Sequence, residues 1–168
     1  MDVRYVNPFI TATCNTFQAM CATPVTVGKP EVKTGEDPSS DVSAIIGFSG
    51  DATGAVVLHL SFDTAAKTAT RFAGMEIDPE HPDFADALGE LADMVAGGAK
   101  DHFEGLNINI SLPSVVVGKA HSVSASKSAP RLIIPCKTDL GSFSVEVGMV
   151  MDRAPARIKK LEATGAMS

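Results

Sequence analysis

A chain of 168 residues, 45% apolar and 20% charged, has the length of one ordinary domain and too many apolar residues to stay disordered. Its net charge of −6, with no block of Lys or Arg, no Trp and Tyr5 as the single tyrosine, excludes a phosphate-backbone or base-stacking platform for nucleic acid. No apolar run reaches the roughly 18 residues of a membrane span, and the opening M-D-V-R-Y-V-N-P-F lacks the basic-then-apolar pattern of a secretory leader, so a reduced, cytoplasmic setting is expected.

Asn7 before Pro8 reads as a helix start, with Asn as N-cap and Pro at the first helical position. Ile10, Cys14, Phe17 and Cys21 then recur at helical spacing, with Thr13 as the polar residue of the stripe, which predicts a helix to about residue 22. Cys14, Cys21 and Cys136 cannot all pair and show no C-x-x-C spacing; they read as buried core thiols. An extended segment runs from Pro24 through Val27 into Glu31-Val32-Lys33, and G-E-D-P-S-S-D (Gly35 to Asp41) is a polar loop. Ile45, Ile46 and Phe48 lead through a turn at Gly50–Gly54 into A-V-V-L-H-L (55–60), which predicts a hairpin. A short helix capped by Ser61 or Asp63 runs past Ala65, Ala69 and Phe72 and stops at Gly74.

A Pro-containing loop from Asp78 to Pro82 precedes a long helix, opened by Asp83, running to about Glu104 and closed by Gly105. Strands are predicted at 108–117, 122–126, 132–137 and 142–151, the last two joined by T-D-L-G. From residue 155 the charged, small-residue chain reads as a flexible tail, leaving one domain over 1–154. No G-x-G-x-x-G or P-loop follows a strand. The pattern predicts an α/β protein of the α+β type: a two-layer sandwich whose helices cover one face of a mixed, mostly antiparallel sheet.

Candidate chemistry is sparse. His59, His81, His102 and His121 show neither H-x-x-x-H nor H-E-x-x-H spacing, and no G-x-S-x-G elbow marks a serine nucleophile. The long helix carries the strongest signal. Asp86, Glu90 and Asp93 sit at i, i+4 and i+7 and share one face, opposite Phe84, Ala87, Leu88, Leu91 and Val95. Like charges at these spacings cost a few tenths of a kcal/mol per pair, which fits either a solvated face or a site. Gly97-Gly98 sits mid-helix at a cost of about 1 kcal/mol each relative to Ala. Either the pair packs closely, or Gly97, one turn beyond Asp93, lets another backbone approach.

Three segments resemble one family. Y-V-N-P-F-I-x-A-x-x-N-x-F (Tyr5 to Phe17), G-D-A-T-G-A-V-V-L (Gly50 to Leu58) and D-A-L-G-E-L-A-D-M-V-A-G (Asp86 to Gly97) resemble the CheX and CheC chemotaxis phosphatases, CheX above all. The resemblance implies dephosphorylation of the phospho-aspartate of a CheY-type response regulator. In the family motif an acidic or Ser residue is followed after three residues by Glu, and after two more by Asn. Asp86 and Glu90 match; Asp93 stands at the Asn position. By resemblance Glu90 anchors the helix on the regulator, position 93 orients the attacking water, and Asp86 and Gly97 belong to the docking face. The Mg²⁺ is the regulator's, so no cofactor is implied for this chain. The first helix lacks the second E-x-x-N of CheC. A homodimer through strands is also implied, with Leu132 to Cys136, around Pro135, as the edge. Because Asp93 replaces Asn, the alternative is a regulator-binding or dimerisation module with weak or no catalysis.

Overall fold

The computed structural model describes residues 2–33, 40–123 and 130–160. The first helix, α1 (Val3–Cys21), begins earlier than Asn7-Pro8 suggests. Its N-cap is Asp2, whose carboxylate accepts the Arg4 N–H at 2.9 Å. Pro8 therefore lies inside the helix, where it lacks the N–H that would reach back one turn. Burial of Val6, Phe9, Ile10, Cys14, Phe17 and Cys21 along one stripe offsets that loss. Thr13, also buried, donates its hydroxyl proton to the Phe9 carbonyl at 2.7 Å.

Two short strands follow, β1 (Thr26–Val27) and β2 (Glu31–Val32), then the long hairpin of β3 (Ser40–Gly50) and β4 (Ala52–Leu60). Pairing within the hairpin ends at Phe48 and Gly54, close to the predicted turn, and Ala52 and Thr53 pair with the later strand at Met151 and Val150 instead. Of the predicted polar loop, Ser40 and Asp41 belong to β3, and residues 35–39 lie outside the described residues. Helix α2 (Phe62–Ala73) is capped by Ser61 and ends at Gly74, whose φ of 70° is open to glycine at little cost. Helix α3 (Phe84–Lys100) stops before Glu104. Instead Phe103 turns into the core and, with Glu104, forms β5 (Phe103–Glu104).

The predicted strand 108–117 is two strands, β6 (Ile108–Ile110) and β7 (Ser114–His121). Pro113, without an N–H, breaks the ladder, and the Ser111 hydroxyl accepts the Gly47 N–H at 2.9 Å in its place. Residues 122 and 123 are not strand, and 124–126 of the predicted strand there fall outside the described residues. Then come β8 (Arg131–Thr138), β9 (Gly141–Met151) and β10 (Arg157–Ile158). The predicted tail thus opens with a strand, antiparallel to β5; residues 161–168 lie outside the description.

The main sheet has eight strands in the order β1-β8-β9-β4-β3-β6, with β2 beside β1 on β8 and β7 beside β6 on β3. Every described pairing is antiparallel. Ile46, Phe48, Val56, Leu58, Leu60, Val145, Val147 and Met149 meet the helix stripes in one core. Phe17 stacks on Phe143 with centroids 4.7 Å apart and Phe9 meets Phe48 edge-on, so the core joins α1 to both β9 and β3.

The edge expected at Leu132–Cys136 is not open. Val27 pairs with Cys136, Glu31 with Ile133, and the Gly28 N–H donates to the Pro135 carbonyl at 2.8 Å. The chain returning from α1 lies along β8, a contact that the apolar pattern of β8 could not announce.

Candidate functional site

Helix α3 separates its faces cleanly. Phe84, Leu88, Leu91, Ala92, Val95 and Ala99 are buried against α1 and the sheet. Asp86 and Glu90 are exposed and Asp93 is half-buried. Asp86 in the first turn also suits the positive end of the helix dipole. None of the three carboxylates makes a hydrogen bond or ion pair with a described residue. The acidic stripe is therefore open to a partner.

The two mid-helix glycines divide the work. Tyr5 and Phe9 of α1 touch Phe103 beyond the end of α3, while Ala12 sits at Gly98, so the two helices run antiparallel. A Cβ on Gly98 would lie 3.2 Å from the Ala12 Cβ, which makes Gly98 the packing glycine. A Cβ on Gly97 would meet nothing within 4 Å. Gly97 is thus not held as glycine by the fold, and it continues the face of Asp86, Glu90 and Asp93. Farther up the helix, Gly89 faces Pro113 and Val115, whose side chains lie 3.2–3.3 Å from where its Cβ would stand. That contact seats the rest of α3 on the sheet.

On the opposite face of the sheet lies a buried polar cluster that the sequence did not signal. Glu146 of β9 is 2% exposed. It accepts from His59 Nε2 at 2.8 Å and from Lys33 Nζ at 3.0 and 3.1 Å, and it pairs closely with Arg131. Burial alone would raise its pKa; the hydrogen bonds from His59 and Lys33, with the charges of Lys33 and Arg131, outweigh that and hold it below the usual carboxylate value. His59 Nδ1 meets Ser43 Oγ at 3.0 Å, and Ser43 Oγ meets His121 Nε2 at 2.8 Å. The Ser43–His59–Glu146 order resembles a nucleophile, base and orienter. Ser43, however, is fully buried, and two cations occupy Glu146. The chain of bonds ties β3, β4, β7, β8 and β9 together and presents no nucleophile.

The thiols are equally withdrawn. Burial pushes Cys21 up to about 11 and Cys136 to about 12, and all three cysteines are buried thiols outside any disulfide. Among the described residues no group of three His, Cys, Asp or Glu side chains converges as a metal site. Among the described residues no helix is long and apolar enough to cross a membrane.

Comparison with known proteins points the same way as α3. Residues 42–137, more than half of the chain, match the family described as chemotaxis phosphatase CheX. A CheY-P phosphatase CheX of Thermotoga maritima is 29% identical over 122 residues, which cover 71% of this chain and 79% of that protein. The crystal structure of a chemotaxis protein CheX from Desulfovibrio desulfuricans superimposes with a TM-score of 0.80 at 30% identity, over 88% of this chain and 98% of that one. The CheX of Borrelia burgdorferi, solved with CheY, BeF3 and Mg²⁺, shares the fold with a TM-score of 0.74 at 24% identity, over 86% and 97% of the two chains.

Proposed function

The chain belongs to the chemotaxis phosphatase CheX family, and from that premise we propose that it hydrolyses the phospho-aspartate of a CheY-type response regulator. The observation that carries the reading is the open stripe itself. Asp86, Glu90 and Asp93 stand in motif register on a helix fixed at both ends by packing, and no carboxylate of the three has a partner among the described residues. A relative that acts on CheY-P and another solved with CheY support the choice of partner.

In this reading Glu90 pairs with a cation beside the regulator's phosphorylation site, and Asp86 extends the docking edge. The open turn at Gly97 lets the regulator's backbone approach. Asp93 accepts a hydrogen bond from the attacking water and aligns its oxygen opposite the leaving aspartyl carboxylate, and the water's protons leave with the phosphate. Water adds to phosphorus, the acyl–phosphate bond breaks, and the regulator recovers its Asp carboxylate while inorganic phosphate leaves. The Mg²⁺ that neutralises phosphoryl charge sits on the regulator; this chain contributes no cofactor.

One observation favours a second reading. A carboxylate at position 93 faces an anionic phosphoryl group, and two like charges at close range cost up to about 4 kcal/mol near a protein surface. The same stripe would then serve docking alone. Phosphate release from phosphorylated candidate regulators, with and without the protein, separates the two: acceleration supports catalysis, binding without acceleration supports the docking module, and neither overturns both.

Self-association belongs to the proposal, by a different edge than the sequence suggested. The outer side of β7 pairs with no described strand, and Leu112, Val116 and Val117 are exposed along it. A second copy adding β7 to β7 would extend the sheet across a two-fold axis.

A further inference from the structure

Resting on the phosphatase reading above, we propose that Lys100 is a further substrate-binding residue, whose ammonium seats the phosphoryl oxygens beside Asp93. At about 100° per residue, Lys100 falls on the arc of α3 that carries Asp86, Glu90, Asp93 and Gly97. It lies one turn beyond Gly97 and two beyond Asp93. Side chains on a helix lean towards its N-terminus and cover the turn before their own Cα. From there the Lys100 side chain can extend towards Asp93 past Gly97, whose surroundings are open: an added Cβ would meet nothing within 4 Å.

Lys100 is half-buried and makes no hydrogen bond or ion pair with a described residue. The charge pattern makes it singular. Between Arg71 and Lys100 the sequence holds Glu76, Asp78, Glu80, Asp83, Asp86, Glu90 and Asp93 and not one Lys or Arg. Lys100 is thus the first cation along the chain after the acidic stripe, and it stands on the side of Asp93 away from the anchoring Glu90. An amide at position 93 would need no counter-charge. A carboxylate there does, and an ammonium with three donors can bridge the Asp93 carboxylate and a phosphoryl oxygen together. The competing role is structural: a Lys in the last turn also complements the negative end of the helix dipole. That role moves the unfolding temperature and leaves the chemistry of a docked regulator alone.

The test compares wild type with Lys100→Ala, Lys100→Arg, and Lys100→Ala combined with Asp93→Asn, all in the full chain. Single-turnover phosphate release is read at saturating protein on a phosphorylated regulator that the protein binds; affinity for the unphosphorylated regulator and thermal unfolding are read alongside. Lys100→Ala should slow release about tenfold, as loss of one charge-assisted hydrogen bond does, with docking affinity kept. Lys100→Arg should restore most of the rate, and in the Asp93→Asn background the loss should shrink to about twofold. A wild-type rate for Lys100→Ala, or an equal loss in both backgrounds, overturns the proposal. If Asp93→Ala slows release while Lys100→Ala does not, this inference alone falls. If neither changes the rate, or wild type releases no phosphate from a regulator it binds, the phosphatase reading falls with it.

Discussion

A carboxylate at position 93 accepts hydrogen bonds but donates none, whereas the amide of Asn does both. Asp93→Asn should therefore raise the rate of phosphate release with the fold unchanged, and Asp93→Ala should abolish it; the pair is read by single-turnover kinetics on one regulator. If Asp93→Ala equals wild type, position 93 does not touch the water. Glu90→Ala should weaken docking, raising the regulator concentration needed for half-maximal release while the rate at saturation holds. On the other face, Glu146→Gln keeps the shape of the side chain but removes the buried charge that Lys33 and the partly exposed Arg131 face. Losing one partner of a buried pair costs about 3–5 kcal/mol, which urea unfolding would report. The acidic stripe was legible in the sequence because its members are near neighbours on one helix. Glu146 was not: Lys33 and His59, which it bonds, are 113 and 87 residues away, and only the order of the sheet brings them together.

At the level of elements, Gly97 and Gly98 are adjacent letters with opposite constraints. Gly97→Ala meets open space and should stabilise α3 by about 1 kcal/mol while weakening docking, a combination that thermal unfolding and a binding titration would show. Gly98→Leu must displace Ala12 and should destabilise by about 1–3 kcal/mol. Helices α2 and α3 and the β3–β4 hairpin were readable because local signals agree with the fold: an apolar stripe, Ser61 as cap, Gly74 as stop. The start of α1 was not, since Asn7-Pro8 carries a strong local start signal that the burial of Val6 and Phe9 outweighs. The split of β6 from β7 was written in Pro113, yet an apolar run masked it. The pairing of β1 and β2 with β8 spans most of the chain and leaves no periodic trace.

For the molecule as a whole, several carboxylates titrate together. Hydrogen bonds from Phe62 and Ala120 N–H hold Asp41 below its usual value, those from Arg153 and Asn107 do the same for Asp51, and the cations around Glu146 hold it down against burial. A folded pKa below the unfolded one contributes stability that is present above the ordinary carboxylate value, about 3.9 for Asp and 4.3 for Glu, and is lost as pH falls through the lowered folded value. The unfolding midpoint should thus stay level near neutral pH and fall steeply in acid. The three thiols should resist alkylation in the native protein near neutral pH and react fully in denaturant. Light scattering at tens of micromolar should give twice the chain mass, and Val116→Lys with Val117→Lys should return a monomer; a wild-type monomer would remove β7 as an interface.

The strap formed by β1 and β2 has a consequence for assembly. On the proposal that copies join through β7, the two-residue strands that close the β8 side leave the described sheet a valence of one. A subunit that can join at a single place terminates the object it joins, so growth stops at a pair instead of running on as a ribbon or fibre.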